Sequence, residues 1–403
     1  PFSSWIADRF GAKRVFMFAI LVFVFSSVLC GRAQGLGELI AFRILQGLGG
    51  AMMVPVGRLL LLRDVPKKDM LSAMAWLTMP ALLGPVIGPP VGGILTDLFS
   101  WRAVFWINVP IGLMGFALVA WKIPPVPPTR PGPPDIVGLA LTGLALALVM
   151  FGLETVGRHV APPVVSWAGL ALGLVTGGFA IRHCRRVKRP AVDLSLLSIP
   201  TFRDAALAGS IFRTGAGAIP FLIPVMLQIG FGMSASQSGL VSFATALGAF
   251  AMKPLVRPLL RRTGFRGALM TNGVVAAIGI AALALVGPGW PSLAIFALLA
   301  AGGLARSLQF TAMNTLAFAD VPSERMSAAT AFYGTLQQLT PALGVVLATA
   351  TLEVSSSLAG RADLLPVDFS RGFLVAALVA VMSVPLHARL AHDAGEEVSG
   401  HRR

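Results

Sequence analysis

The 403 residues are 56% hydrophobic and only 12% charged, with a mean hydropathy of +0.80, whereas soluble domains carry about 25% charged residues, so the chain reads as an integral membrane protein. Its formal charge of +15 does not indicate nucleic-acid binding, because the basic residues lie in short pieces between long apolar runs. Cys30 in an apolar run, Cys184 in a basic loop and five histidines at segment ends or in loops exclude a disulfide framework and give no metal-ligand spacing.

A helix needs about 20 apolar residues to cross the hydrocarbon. Twelve runs qualify in chain order: 15–31, 38–62, 71–97, 103–122, 136–156, 164–182, 206–229, 236–259, 267–287, 291–318, 326–352 and 372–390. Residues 1–6 read as the tail of an earlier span. The runs are too long and too uniformly apolar for the alternating strands of an outer-membrane barrel. The chain opens at Pro1 with no visible signal peptide, so a longer parent lacking its N-terminus here is expected.

Lys and Arg alternate in density from loop to loop. One set of loops holds 23 of the 32, including Arg9, Lys13, Arg14, Arg63, Lys67, Lys68, the run 182–203 and the run 253–266. The opposite set holds Arg32, Arg102, Arg158, Arg361 and Arg371. The rich set is the cytoplasmic one by the positive-inside rule, which puts the C-terminus in the cytoplasm. Arg43, Arg58, Arg213 and Arg306 fall inside apolar spans. Such residues are costly in lipid and normally face a cavity, a partner or an interface.

The earliest feature of note is a turn. "ADRFGAKRVFMF" (7–18) and "LRRTGFRGALMT" (260–271) both set a glycine between basic residues before a new helix, a weak internal repeat of the kind found in transporters. The second copy has no acidic residue equivalent to Asp8. Next, "RILQGLGGA" (43–51) puts Arg43 and Gln46 a turn apart; Arg43 either snorkels to the interface or serves coupling or gating. Then "LLGPVIGPPVGG" (82–93) interrupts an apolar run with helix breakers. Gly84, Gly88 and Gly92 share a face at i, i+4 spacing, so the run is either a tight helix crossing or a bend that shapes a central cavity.

Further on, "IPPVPPTRPGPPD" reads as a semi-rigid linker ending in Asp135, a helix N-cap. "RHCRRVKRP" reads as a loop against anionic headgroups, and the seven tryptophans mostly mark span ends. Arg213 stands among glycines before Pro220 and Pro224, and Arg306 is followed by Gln309 and Asn314. These residues either line a central cavity or form interhelical hydrogen bonds. Glu38, Asp97, Asp135 and Glu154 all sit near span ends.

Four stretches in order resemble the major facilitator superfamily. "WIADRFGAKRV" (5–15) is similar to its cytoplasmic loop motif, "RILQGLGGA" to its fourth-helix motif, and Gly84-x-x-x-Gly88-Pro89-x-x-Gly92-Gly93 to the antiporter motif of its fifth helix. "WRAVFWINVPIG" (101–112) resembles a stretch of the fourteen-helix drug–proton antiporters, and the likeness continues through 202–232 and 307–322. The resemblance implies an all-α membrane protein of major facilitator fold, with helices 3–14 complete and the end of helix 2. It implies an incomplete N-terminal bundle over 1–122, a linker with two extra helices over 123–190, a C-terminal bundle over 191–390 and a cytoplasmic tail over 391–403.

The implied function is a proton-coupled exporter of amphipathic drugs or related small compounds, working by alternating access in a bacterial inner membrane. The alternatives are a symporter or importer on the same fold, or a lipid enzyme, for which no reactive constellation is visible. No phosphate-cradling loop is present. No metal or cofactor is expected, the energy source being the proton gradient. The expected partners are a small-molecule substrate, protons and lipid, with no nucleic acid and a monomeric chain. By the same resemblance Asp8, Arg9, Gly11 and Arg14 form a gating latch. Arg43, Gln46, Arg213, Arg306, Gln309 and Asn314 serve the cavity or proton coupling, and Gly84, Gly88, Pro89, Gly92 and Gly93 serve packing. The family's proton-carrying carboxylate belongs to helix one, outside this chain.

Overall fold

The computed structural model describes residues 2–66, 98–124, 133, 135–156, 162–187, 190–361 and 363–401, and within 67–97 only 69, 72–73, 76–77, 84, 88, 91–92 and 95–96. All regular structure among these residues is helical. The longer helices are α1 (Phe2–Phe10), α2 (Ala12–Arg32), α3 (Leu36–Asp64), α4 (Asn108–Lys122), α5 (Ile136–Val156), α6 (Pro163–Cys184), α7 (Pro200–Gly217), α8 (Ile219–Val225), α9 (Ala235–Ala282), α10 (Ser292–Ala319), α11 (Met326–Leu358) and α12 (Pro366–Val381). Ten helical stretches among the described residues are long and apolar enough to cross a membrane.

One of those ten is two crossings. Within α9, Gly264 takes φ 65° and ψ 173°, a backbone region that only glycine enters freely, and there the helix breaks into the spans expected at 236–259 and 267–287. The expected span 71–97 falls mostly outside the described residues; those described within it, from 72 to 96, are helical. Gly11, aligned with Gly264 in the two turn sequences, joins α1 to α2 at φ 90° and ψ 125°. Both copies of the turn therefore use a glycine with positive φ as their hinge, and the repeat seen in the sequence is a repeat in the backbone. Gly264→Ala is expected to cost about 1–3 kcal/mol, since its Cβ would also meet His401 Cδ2 at 3.2 Å. An unchanged thermal midpoint in detergent would contradict this.

Two spans start well before the positions expected, each taking a carboxylate into its first turns. The span expected at 206 begins at Pro200, a proline in the first turn, where the missing N–H is no loss. Asp204 is accommodated inside it by His387. The span expected at 372 begins at Pro366, because Asp368 is buried against Arg361. Asp135 does cap α5, accepting from the Gly138 N–H at 2.9 Å, and it also pairs with His183 Nε2 at 2.8 Å.

The largest buried cluster is shared between distant parts of the chain. Ala7, Val15, Val56, Leu59 and Leu60 from α1–α3 pack into one core with α7–α12. All lie near the Lys/Arg-rich ends of their helices. At the other end of α3, Leu36, Ile40, Ile44 and Leu48 are exposed. α5 and α6 pack chiefly on each other, with Gly152 and Gly173 seated on the partner helix's backbone.

Candidate functional site

A largely buried polar cluster joins α3, α7, α10 and α11. Arg213 on α7 is 4% exposed. Its Nη2 donates to Asn314 Oδ1 on α10 at 2.9 Å and to the Tyr333 hydroxyl on α11. The guanidinium carbon also lies 4.8 Å from the Tyr333 ring centre, a cation–π distance. Tyr333 donates in turn to the Met313 carbonyl at 3.2 Å. Asn314 Oδ1 accepts a second bond, from Gln337 Nε2 at 2.7 Å, and Gln337 Oε1 accepts from Arg58 Nη2 on α3 at 2.8 Å. The chain of bonds runs Arg58–Gln337–Asn314–Arg213, from the N-terminal helices into the C-terminal ones.

Backbone contact sets this geometry. A Cβ at Gly217 would sit 2.6 Å from Pro341 Cα, and one at Gly344 would sit 2.2 Å from the Thr214 carbonyl oxygen. Helices α7 and α11 therefore cross with main chain against main chain. Pro341 lies inside α11, where it cannot donate to the Gln337 carbonyl, one turn from the residue that bridges the two halves. Beyond Arg213, the span continues through α8 into a π-helical turn, Met226–Gly230, a feature found mostly at functional sites.

The other residues picked from sequence fall in different places. Arg306 on α10 is 7% exposed, with Nη2 3.5 Å from Thr245 Oγ1. Gln309 points elsewhere: its Oε1 accepts from Asn272 Nδ2 at 2.9 Å and its Nε2 donates to the Leu269 carbonyl at 3.2 Å, pinning α9 to α10. Of the cavity candidates, Arg213 meets Asn314 and Arg43 meets Gln46, while Arg306 and Gln309 bond to other residues. Arg43 is exposed; Nη1 donates to Gln46 Oε1 at 2.5 Å, and Gln46 Nε2 donates to Ser27 Oγ on α2 at 2.6 Å.

In the loop motif Asp8 is half-buried, Gly11 is buried, and Arg9 and Arg14 are exposed. Lys13 Nζ donates to the Ala120 carbonyl on α4 at 2.9 Å. The second copy of the turn is covered by the C-terminal tail: Val398 and Ser399 are buried, and His401 Nδ1 donates to the Arg261 carbonyl at 2.8 Å.

Of the fifth-helix motif, Gly84, Gly88 and Gly92 are helical, and among the described residues nothing comes within 4 Å of a Cβ built on any of them. Pro89 and Gly93 lie outside the described residues. Close backbone approaches that glycine permits are seen at Gly217, Gly344, Gly248 and Gly303, and at Gly49 of the fourth-helix motif.

Sequence reading missed Tyr333 and Gln337, which sit in an ordinary-looking run. It also missed two buried carboxylates. Asp204 Oδ2 lies 2.7 Å from Nδ1 of His387, whose ring is fully buried with Nε2 unpartnered among the described residues. Asp368, fully buried, holds Arg361 through two 3.1 Å bonds. The sequence analysis singled out neither, since each stands at the edge of an apolar run beside other polar residues.

At the Lys/Arg-rich end, Asp193 ties the start of the C-terminal helices to the α10–α11 loop. Its Oδ2 lies 2.7 Å from Arg325 Nη2. Burial raises the Asp193 pKa, but hydrogen bonds from Ser195 and Arg325 and the charge of Arg325 outweigh it, leaving the carboxyl below its ordinary 3.8. A depressed carboxyl pKa adds stability that is complete above the unfolded value and disappears as pH falls through the folded one. Asp193→Asn is therefore expected to lower the unfolding midpoint at neutral pH, and the gap to the parent chain should close below pH 3.8. A gap that persists into that acid range would refute the assignment.

Comparison with known proteins follows the same lines. The Major Facilitator Superfamily family model matches residues 1–345. The putative multidrug resistance protein MdtD of Pectobacterium carotovorum subsp. carotovorum (strain PC1) is 36% identical over 348 residues, covering 86% of this chain and 74% of that protein. Its namesake in Enterobacter sp. (strain 638) is 32% identical over 415 residues, covering 100% and 86%. Among solved structures, the human organic anion transporter MFSD10 (TETRAN) superposes with a TM-score of 0.67 at 14% identity, over 96% of this chain and 79% of that one. A POT family transporter in complex with a thioalcohol conjugated peptide gives 0.64 at 16% identity, over 95% and 82%. At those identities the structural likeness speaks to fold alone.

Proposed function

The chain belongs to the major facilitator superfamily, a multi-pass membrane transporter rather than an enzyme, and from that premise we propose that it exports amphipathic small molecules in exchange for protons by alternating access. The observation that carries the reading is the asymmetry of contact along α3. Its Lys/Arg-rich end packs through Val56, Leu59 and Leu60 into the shared core and is bonded through Arg58 to Gln337, while no described residue of α3 before Met52 joins that core. One end sealed and the other unsealed is what a rocking two-bundle transporter presents in one of its states.

On this reading, with the Lys/Arg-rich face cytoplasmic, the seal is on the cytoplasmic side of an inner membrane and the C-terminal tail lies there. The loop motif Asp8–Arg14 and the tail at Arg261 act as latches on the two halves. Export of drugs is supported by the relatives, which are named as putative multidrug resistance proteins. Exchange for protons is supported by the fifth-helix glycines in the sequence. The proton gradient is the energy source, without a cofactor, and the chain acts as a monomer with small molecules, protons and lipid as its partners.

The test uses proteoliposomes with an imposed pH gradient. Substrate-dependent proton release from the side opposite to substrate movement is the expected result. Substrate and proton moving together would replace exchange with symport, and movement indifferent to the gradient would remove proton coupling.

A further inference from the structure

We propose that the Arg58–Gln337–Asn314–Arg213 network receives an anionic group, a carboxylate or sulfonate, on the transported amphiphile; this names the substrate class of the exporter reading and rests on it. Both guanidinium groups are buried, Arg58 7% exposed and Arg213 4%. A buried charge is costly unless paired, yet among the described residues neither has a carboxylate partner. The ion pairs recorded there involve Arg325, Arg361, His183 and His387. The buried acids nearest in kind, Asp204 and Asp368, are committed to His387 and Arg361 at the two ends of the C-terminal helices.

Each arginine also keeps a donor in reserve. Arg58 Nε and Arg213 Nη1 are buried without an acceptor among the described residues, and a buried donor left unpaired is unfavourable. Asn314 Oδ1, a neutral oxygen, accepts from both Arg213 and Gln337. A planar carboxylate or a sulfonate placed there offers further acceptors to the same donors, with the charge that the guanidinium fork matches. Aromatic rings flank both guanidiniums: Tyr333 lies against Arg213, and the Phe318 ring centre is 6.0 Å from the Arg58 guanidinium carbon. A cationic amphiphile would enter against two like charges. Because Arg58 stands on α3 and its partners on α7, α10 and α11, an anion bound there touches both moving halves.

The experiment compares three probes of one shape, naphthalenesulfonate, naphthyltrimethylammonium and naphthol, binding to the purified full chain in lipid nanodiscs. Saturable binding of the sulfonate, uncompeted by the other two, is expected. Arg58→Gln and Arg213→Gln should each weaken it about tenfold or more, the range of a hydrogen bond to a charged group. Asn314→Asp guards against misfolding of the arginine variants, since it supplies Arg213 with an internal carboxylate of the same size, and it too should weaken the sulfonate about tenfold. Ammonium binding as tight as sulfonate binding, no saturable binding of any probe, or sulfonate affinity within about twofold of the parent in Asn314→Asp would overturn the proposal. Gradient-driven movement of the ammonium probe with the arginines replaced would do so too, leaving the exporter reading intact. Arginine-dependent sulfonate binding with no gradient-driven movement would instead sink the exporter reading and leave the site standing.

Discussion

Gly344→Val is expected to be among the most damaging single changes in this protein. The α7–α11 crossing has no room for a side chain: even a Cβ at 344 would lie 2.2 Å from the Thr214 oxygen and 2.9 Å from Ala218 N. These are backbone atoms, so relief requires one helix to move as a body. Overpacking of this kind costs about 1–3 kcal/mol and occasionally more. The displacement would also separate Arg213 on α7 from Tyr333 and Gln337 on α11. A lowered thermal midpoint together with loss of transport is the expected pair of results. A variant as stable and as active as the parent would show that the two helices do not meet as closely as this in the membrane.

Asp368→Ala is expected to have a comparable effect at the other end of the C-terminal helices. Asp368 is fully buried and accepts from Arg361, Ser355 and the Leu365 N–H, the last at 2.8 Å. Arg371 Nη1 donates to Ser355 at 2.8 Å, so one carboxylate organises the α11–α12 connection. Breaking a buried ion pair from one side costs about 3–5 kcal/mol; here the lower end applies, because the Arg361 side chain is 26% exposed and water can reach it once its partner is gone. Asp368→Asn, which keeps the shape and part of the bonding, should lie between the parent and the alanine variant in chemical-denaturation midpoint. Equal midpoints for all three would refute the role.

These two positions show why the sequence was informative about spans and silent about which side chains meet. Crossing segments were legible because lipid imposes a one-dimensional rule: a run of about 20 apolar residues is sufficient to span. That rule misjudged the starts of α7 and α12, where Asp204 is paired with His387 far along the chain and Asp368 with Arg361 in the loop just before it. The turn repeat was legible because a positive φ demands a particular residue, glycine, and both Gly11 and Gly264 satisfy it. Arg213 and Arg306 stood out because a charge in an apolar run is conspicuous. Tyr333, Gln337 and Gly344 did not stand out, since a neutral polar or small residue in a long helix has no signature.

The amino-acid order by itself thus determined that the chain crosses a bilayer many times, roughly where the described crossings lie, and where two hinges fall. Each of these follows from local composition. Only the tertiary structure decided which buried polar groups meet. It joined Arg213 to Asn314 and Gln337 to Arg58, sent Gln309 to Asn272 instead, paired Asp204 with His387, and laid the tail over the second turn. The reason is that side-chain partnership depends on how helices are rotated and how closely they approach, and those follow from backbone contacts such as Gly217 on Pro341, which residues far apart in sequence settle together.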